Sequence, residues 1–260
     1  MDGLLKMGRL FFAIAMAFFG VQYFIYASLM KGPIPGPPWI PGAHWLAWLT
    51  GVAFVAIAVG IAIEKRARLV AMLLGAALLL NILLLHVFSL ITQLHNPAPW
   101  TDTFELLSLC GASFILASVL PLDEPTSLKD NVLSPLATSF AIAGRFVFVI
   151  SLVIFAIQHF IYARFVATLV PRWIPGHLFW AYFVGVAFIG AALAIAAKVQ
   201  AKLAALLLGT MFLLWVLVLH LPRVAAAPGN GNEVTSLFIA LAMSGASFIL
   251  AFSLTRDPSV

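Results

Sequence analysis

The chain has 260 residues, of which 63% are hydrophobic and 9% charged, and its mean hydropathy is +1.11. A soluble domain carries about 25% charged residues, so this composition excludes one and points to a polytopic membrane protein. The formal charge of +5 is dispersed along the sequence, which excludes a nucleic-acid surface.

Crossing a hydrocarbon layer of ~30 Å takes about 20 apolar residues per helix. Eight stretches meet that length, at 8–30, 44–63, 69–93, 102–121, 145–168, 177–197, 203–221 and 235–254. They are continuously apolar and rich in Leu and Ala, without the alternation of a membrane barrel, so the expected fold is all-α with eight transmembrane helices.

The first stretch opens with Gly8-Arg9, carries Gln22 and Tyr26, and has no small-residue cleavage site, so it reads as a retained helix. A loop ending in Trp39-Ile40-Pro41-Gly42 leads to the second, which begins at His44. The third contains Asn81 and is expected to end at His86; the fourth contains Cys110, the only cysteine. A single cysteine excludes an intrachain disulfide, a CxxC pair and a cysteine metal site. "LPLDEPTSLKDNVLSP", residues 120–135, has the composition of a cytoplasmic linker. The fifth stretch carries Gln158, His159 and Tyr162, and a second WIPG, from Trp173 to Gly176, precedes His177 at the start of the sixth. The seventh is expected to end at His220. Asp102, Glu105 and Glu233 lie near predicted helix starts, where a carboxylate favours the positive end of the helix dipole. A proton path is the other reading of Glu105.

The chain repeats itself. "GRLFFAIAMAFFGVQYFIYA" from Gly8 matches "GRFVFVISLVIFAIQHFIYA" from Gly144, and after the first loop one constant offset pairs WIPG with WIPG, His86 with His220, and "GASFILA" from Gly111 with "GASFILA" from Gly245. Each copy has four helices, so both enter the membrane in the same direction as parallel repeats. The units are residues 1–121 and 144–260, joined by a linker at 122–143. With the amino terminus inside, inner segments hold ten Lys and Arg and outer segments hold Lys31, Arg164, Arg172 and Arg223, which favours cytoplasmic termini. Both WIPG corners and all six histidines then lie toward the outer face.

The candidate site residues are Gln158, His159, Tyr162, His177 and His220 of the second unit, with His86 as the counterpart of His220. Several chemistries are open to them. Three imidazoles suit a Zn or Cu ion, and one imidazole with a phenol suits the two carbonyls of a quinone. A pair of histidines on separate helices suits haem. Against these stand simpler roles: a histidine at a helix end bonds free carbonyls, and Gln158 and Tyr162 bond neighbouring helices. Asn81 is matched by Trp215 in the repeat and reads as a local packing bond. No phosphate loop, nucleophile elbow, dinucleotide fingerprint or paired catalytic carboxylate is present in the sequence. The lack of these motifs favours a non-catalytic chain.

The Gly-Arg start, the Gln158-His159-Phe160-Ile161-Tyr162-Ala163 stretch and the Pro-x-Trp-Ile-Pro-Gly loop resemble the DoxX-like membrane family, with its four-helix unit present twice. That resemblance implies four-helix bundles and an accessory or anchor subunit of a quinone-linked redox complex in the bacterial cytoplasmic membrane. It also implies a quinone or lipid pocket at the outer face, and lipid and other membrane subunits as partners. A purely structural subunit and a small-molecule transporter are the alternatives.

Overall fold

A computed structural model describes residues 3–26, 44–121 and 128–255. The first WIPG corner, Lys31 and Arg256 lie outside these residues. The described chain is helical, with no strand: α1 Gly3–Tyr26, α2 His44–Ala62, α3 Ala67–Thr92, α4 Pro97–Val119, α5 Leu128–Ile161, α6 Ala163–Leu169, α7 His177–Ala197, α8 Ala201–Ala226 and α9 Gly231–Leu254. All but the short α6 are long and apolar enough to span a bilayer, giving eight candidate spans. The protein is an all-α polytopic membrane protein. Units one and two contribute α1–α4 and α5–α9, with α6 an extension after the first helix of the second.

Helix boundaries depart from the expected ones where local chemistry overrides hydropathy. α4 begins at Pro97 because the Asn96 side chain accepts a hydrogen bond from the Ala98 N–H (3.1 Å) and proline suits the first helical position. α9 begins at Gly231 under the equivalent cap, Asn230 accepting from the Asn232 N–H at 3.1 Å. The earlier start leaves no acidic residue in the first turn of α4, so Asp102 and Glu105 do not serve its dipole there; Glu233 does lie in the first turn of α9. α5 starts at Leu128, inside the segment read as linker, and runs through Pro135.

His86 and His220 do not end their helices. Each closes a π-helical turn, Ile82–His86 and Val216–His220, after which α-helix resumes to Thr92 and Ala226. The Val87 N–H donates to Ile82 O and the Leu221 N–H to Val216 O, the wider spacing of a π turn. Capping by these histidines is therefore excluded, since further residues of helix follow.

The eight spans form a ring in the order α1, α2, α3, α4, α5, α7, α8, α9 and back to α1, with α4 and α9 also packed on each other across the centre. Among the described residues, the first and fourth helices of one unit make no comparable contact. Each first helix packs instead on the fourth helix of the other unit, α1 on α9 and α5 on α4. Neither unit closes a bundle by itself.

Glycine makes these two crossings close. A Cβ at Gly245 would stand 2.6 Å from Gly8 O, and one at Gly111 would stand 2.6 Å from Gly144 O. In lipid there is little hydrophobic gain from joining helices, so backbone proximity and polar bonds carry the association. One turn of chemistry repeats at each crossing: Gln22 Nε2 donates to Thr235 Oγ1 (2.7 Å), and Gln158 Nε2 donates to Thr101 Oγ1 (3.0 Å) and Pro97 O (3.1 Å). Inside each unit, Cys110 Sγ donates to Gly75 O (3.3 Å) and its counterpart Ser244 Oγ donates to Gly209 O (2.8 Å).

The loops at the end bearing both termini are tight. Glu64 and Arg66 between α2 and α3, and Lys198 and Gln200 between α7 and α8, all adopt positive φ. Glu64 turns back to pair with the buried Arg9 at 2.6 Å, while Arg9 Nη1 also donates to Ile61 O (3.2 Å). The second WIPG corner caps α7: Gly176, at φ 73°, takes the left-handed conformation that favours glycine, and Pro175 O accepts from Trp180 Nε1 (3.1 Å).

Gly111→Ala places a methyl group against the Gly144 backbone and is expected to destabilise the protein by about 1–3 kcal/mol, the usual cost of overpacking. Gly190→Ala, with nothing within 4 Å of the added carbon, is expected to be neutral or stabilising. Thermal unfolding of the two variants in detergent separates these outcomes; equal behaviour would contradict the glycine crossing.

Candidate functional site

The odd-numbered spans finish, and the even-numbered spans begin, at the end of the bundle opposite the termini. His44, His86, His95, His159, His177 and His220 all fall toward that end. Proximity along the membrane normal does not bring them together. Among the described residues no three His, Cys, Asp or Glu side chains gather as ligands for one metal ion.

In the second unit the expected residues diverge. Gln158 reaches out of its unit to Thr101 on α4, its amide engaged on both atoms, since Thr101 Oγ1 lies 3.3 Å from Gln158 Oε1. His159 turns inward. Its Nδ1 lies 2.8 Å from Phe155 O, a bond that requires the hydrogen on Nδ1, and its ring packs edge-on to Phe188 (5.3 Å) and stacks on Trp215 (6.4 Å). Tyr162 stands after the last residue of α5, half-buried. His177 is the first residue of α7, half-buried and without a hydrogen bond or ring contact, and His220 keeps a buried Nδ1 with no partner. Phe155, Phe188, Phe212 and Trp215 complete an aromatic cluster around His159 that fills the interior of the unit. Of the expected residues, His159 alone joins this cluster.

The matching interior of the first unit is not filled. Leu78 stands for Phe212 and Asn81 for Trp215, and the lost ring volume leaves a cavity of about 70 Å³ between α1, α2, α3, α4 and α9. Phe19, Phe54 and Leu78 form its walls, and Met16, Leu109 and Ile239 lie on the side toward the termini. Beyond them Phe12 and Leu116 are fully buried. Its polar part faces the histidine end, with Asp102 exposed, Glu105 half-buried one turn deeper, and Thr235 contributed by α9.

Several buried polar atoms on the helices of the first unit lack partners. Gln22 is 1% exposed and lies one turn beyond Phe19 on the same face of α1; its amide nitrogen is held by Thr235, but its Oε1 has no hydrogen bond. Asn81 Oδ1 and His86 Nε2 are likewise buried and unpaired, so the packing bond expected of Asn81 is not made through that oxygen. Most buried polar atoms find partners. Such atoms occur in both units, at His220 and Glu233 as well, and what sets the first unit apart is the cavity lined by Asp102, Glu105 and Thr235.

The sequence reading centred on the second unit because three histidines cluster there in order. The signal for the first unit was the mismatch within the repeat: Glu105 opposite Ile239, Asp102 opposite Ser236 and Asn81 opposite Trp215. Such departures from an otherwise matched pattern mark where one half is built differently.

Compared with known proteins, the chain matches no family model, no curated protein and no solved structure. The chemistry of the site must therefore be judged on its own dimensions. An apolar cavity of ~150 Å³ takes up one benzene, so about 70 Å³ is too small for a quinone ring and large enough for a few waters or a small ion.

Gln158→Leu removes the amide's hydrogen bonds to α4 and is expected to cost about 0.5–1.5 kcal/mol, the range of interhelical bonds in membranes. His177→Ala removes no bond and is expected to stay within about 0.5 kcal/mol of the parent. Chemical or thermal unfolding of the two variants in detergent orders them; a larger loss for His177→Ala would contradict this assignment.

Proposed function

We propose that the protein is an accessory or anchor subunit of a quinone-linked redox complex in the bacterial cytoplasmic membrane, with both termini on the cytoplasmic side. The observation that supports an accessory role is the use made of the polar side chains. Gln158, Gln22, Arg9, Ser244 and Cys110 hold helices to one another, and the second-unit histidine lies within an aromatic cluster. A helical assembly of this kind offers a partner subunit a firm apolar wall. The quinone link rests on the resemblance of the Gln158–Ala163 stretch and the WIPG corners to DoxX-like proteins, and the orientation rests on the distribution of Lys and Arg.

In this reading a quinone meets the protein from the lipid side and not in an enclosed pocket. The outer end of α7 suits that role, since Phe179, Trp180 and Phe183 are exposed there in a contiguous aromatic group, with the exposed Trp173 in the corner before it. Aromatic side chains at this level also anchor a span at the membrane interface.

Mild solubilisation of the native membrane, followed by affinity purification, tests the proposal. The expected result is co-purification with subunits of an oxidoreductase, and loss of most of the corresponding quinone reduction from membranes of a deletion strain. A protein that purifies alone, with quinone reduction unchanged in the deletion strain, would overturn it.

A further inference from the structure

The polar end of the first-unit cavity holds two carboxylates, and among the described residues neither is paired with a basic side chain. Asp102 and Glu105 are three residues apart on one face of α4, and Glu105 lies eight residues into the helix from Pro97, about 12 Å along its axis at 1.5 Å per residue. None of the residues lining the cavity is basic. Arg9, on α1, is engaged by Glu64 near the opposite end, and Arg223 is paired with Glu233 at 2.6 Å. On α3 the nearest titratable group in sequence to the cavity wall is His86, and on α5 His159 is turned into the second unit.

An uncompensated carboxylate at this depth in a bilayer is costly, and intramembrane acids pair or mark an ion pathway. Besides the acids, the Thr235 hydroxyl lines the cavity and accepts from Gln22 Nε2, and the Oε1 of the same amide is buried and unpaired. Carboxylate, amide and hydroxyl oxygens with room for water form the donor set that suits hard cations.

We propose that Glu105, Asp102 and Thr235, with Gln22 holding the Thr235 hydroxyl, form a binding site for a small positive charge, a hard metal cation or a proton, entered from the histidine end of the first unit. The second unit has no counterpart, because Ile239 and Ser236 stand where the acids would be and Trp215 fills the space. The site stops at the packed layer of Phe12, Met16 and Leu116, so it binds and releases its cation at one side. The proposal concerns this chain alone and stands or falls independently of any redox partner.

Infrared difference spectroscopy on the purified protein in lipid nanodiscs tests it, with two arms. In the metal arm, Na⁺, Mg²⁺ or Ca²⁺ replaces a bulky organic cation at constant pH, and a saturable change in carboxylate stretching bands is expected. In the proton arm, acidification without metal is expected to raise a protonated-carboxyl band from a buried acid. A response in either arm identifies the source of the charge and supports the site, provided that Glu105→Gln removes the proton signal or weakens the metal response at least about tenfold. Asp102→Asn, at an exposed position, serves as the second variant should Glu105→Gln not fold. Spectra of the variants that match the parent in both arms would overturn the proposal.

Discussion

The architecture depends on two backbone crossings that glycine makes close. Gly8 against Gly245 and Gly111 against Gly144 bring the first helix of each unit onto the fourth helix of the other. Remove them and the amide–hydroxyl bonds one side of each crossing, Gln22 to Thr235 and Gln158 to Thr101, lose their registration. Helices in lipid gain little from burying apolar surface against one another, so contact at short range has to do the joining. The two units are thereby interlocked into one ring, and a stand-alone unit would expose the faces that the crossings cover.

Symmetry then makes the differences informative. Positions related by the repeat keep the same packing role: Phe114 lies over Gly75 as Phe248 lies over Gly209, and Cys110 bonds across to Gly75 as Ser244 does to Gly209. Against that background, exchanging Trp215 for Asn81 and Phe212 for Leu78 has a definite consequence, a vacated interior in one half. The acids of α4 face that interior, and the ring cluster of the second unit occupies its twin. One half carries a ring cluster where the other keeps a cavity.

Much of this architecture was legible in the residues. Continuous apolar stretches identify eight spans because hydrocarbon demands internally bonded helices, and the long matches from Gly8 and Gly111 reveal the repeat. The exchange of partners between units was not legible, since a repeat says which positions are equivalent and not which copy each one touches. Helix starts at Pro97 and Gly231 depended on Asn96 and Asn230 as caps, polar residues that hydropathy assigns to loops. The π turns before His86 and His220 leave no signal in periodicity over five residues. For the site, the conspicuous histidines drew attention to the second unit, whereas the cavity follows from volume, which becomes visible only when Asn81 and Trp215 are placed opposite the same neighbours.

The exchange of helices between units is the claim on which the rest stands, and one cross-linking measurement tests it directly. In a Cys110→Ser background, Phe18→Cys is paired either with Phe238→Cys or with Phe104→Cys, the equivalent position in its own unit. Phe18 and Phe238 stack with ring centres 3.7 Å apart across the crossing of α1 and α9. The account predicts an oxidative cross-link, read by mass spectrometry, for the pair at 18 and 238 and none for the pair at 18 and 104. Cross-linking within the first unit, with none between units, would contradict it.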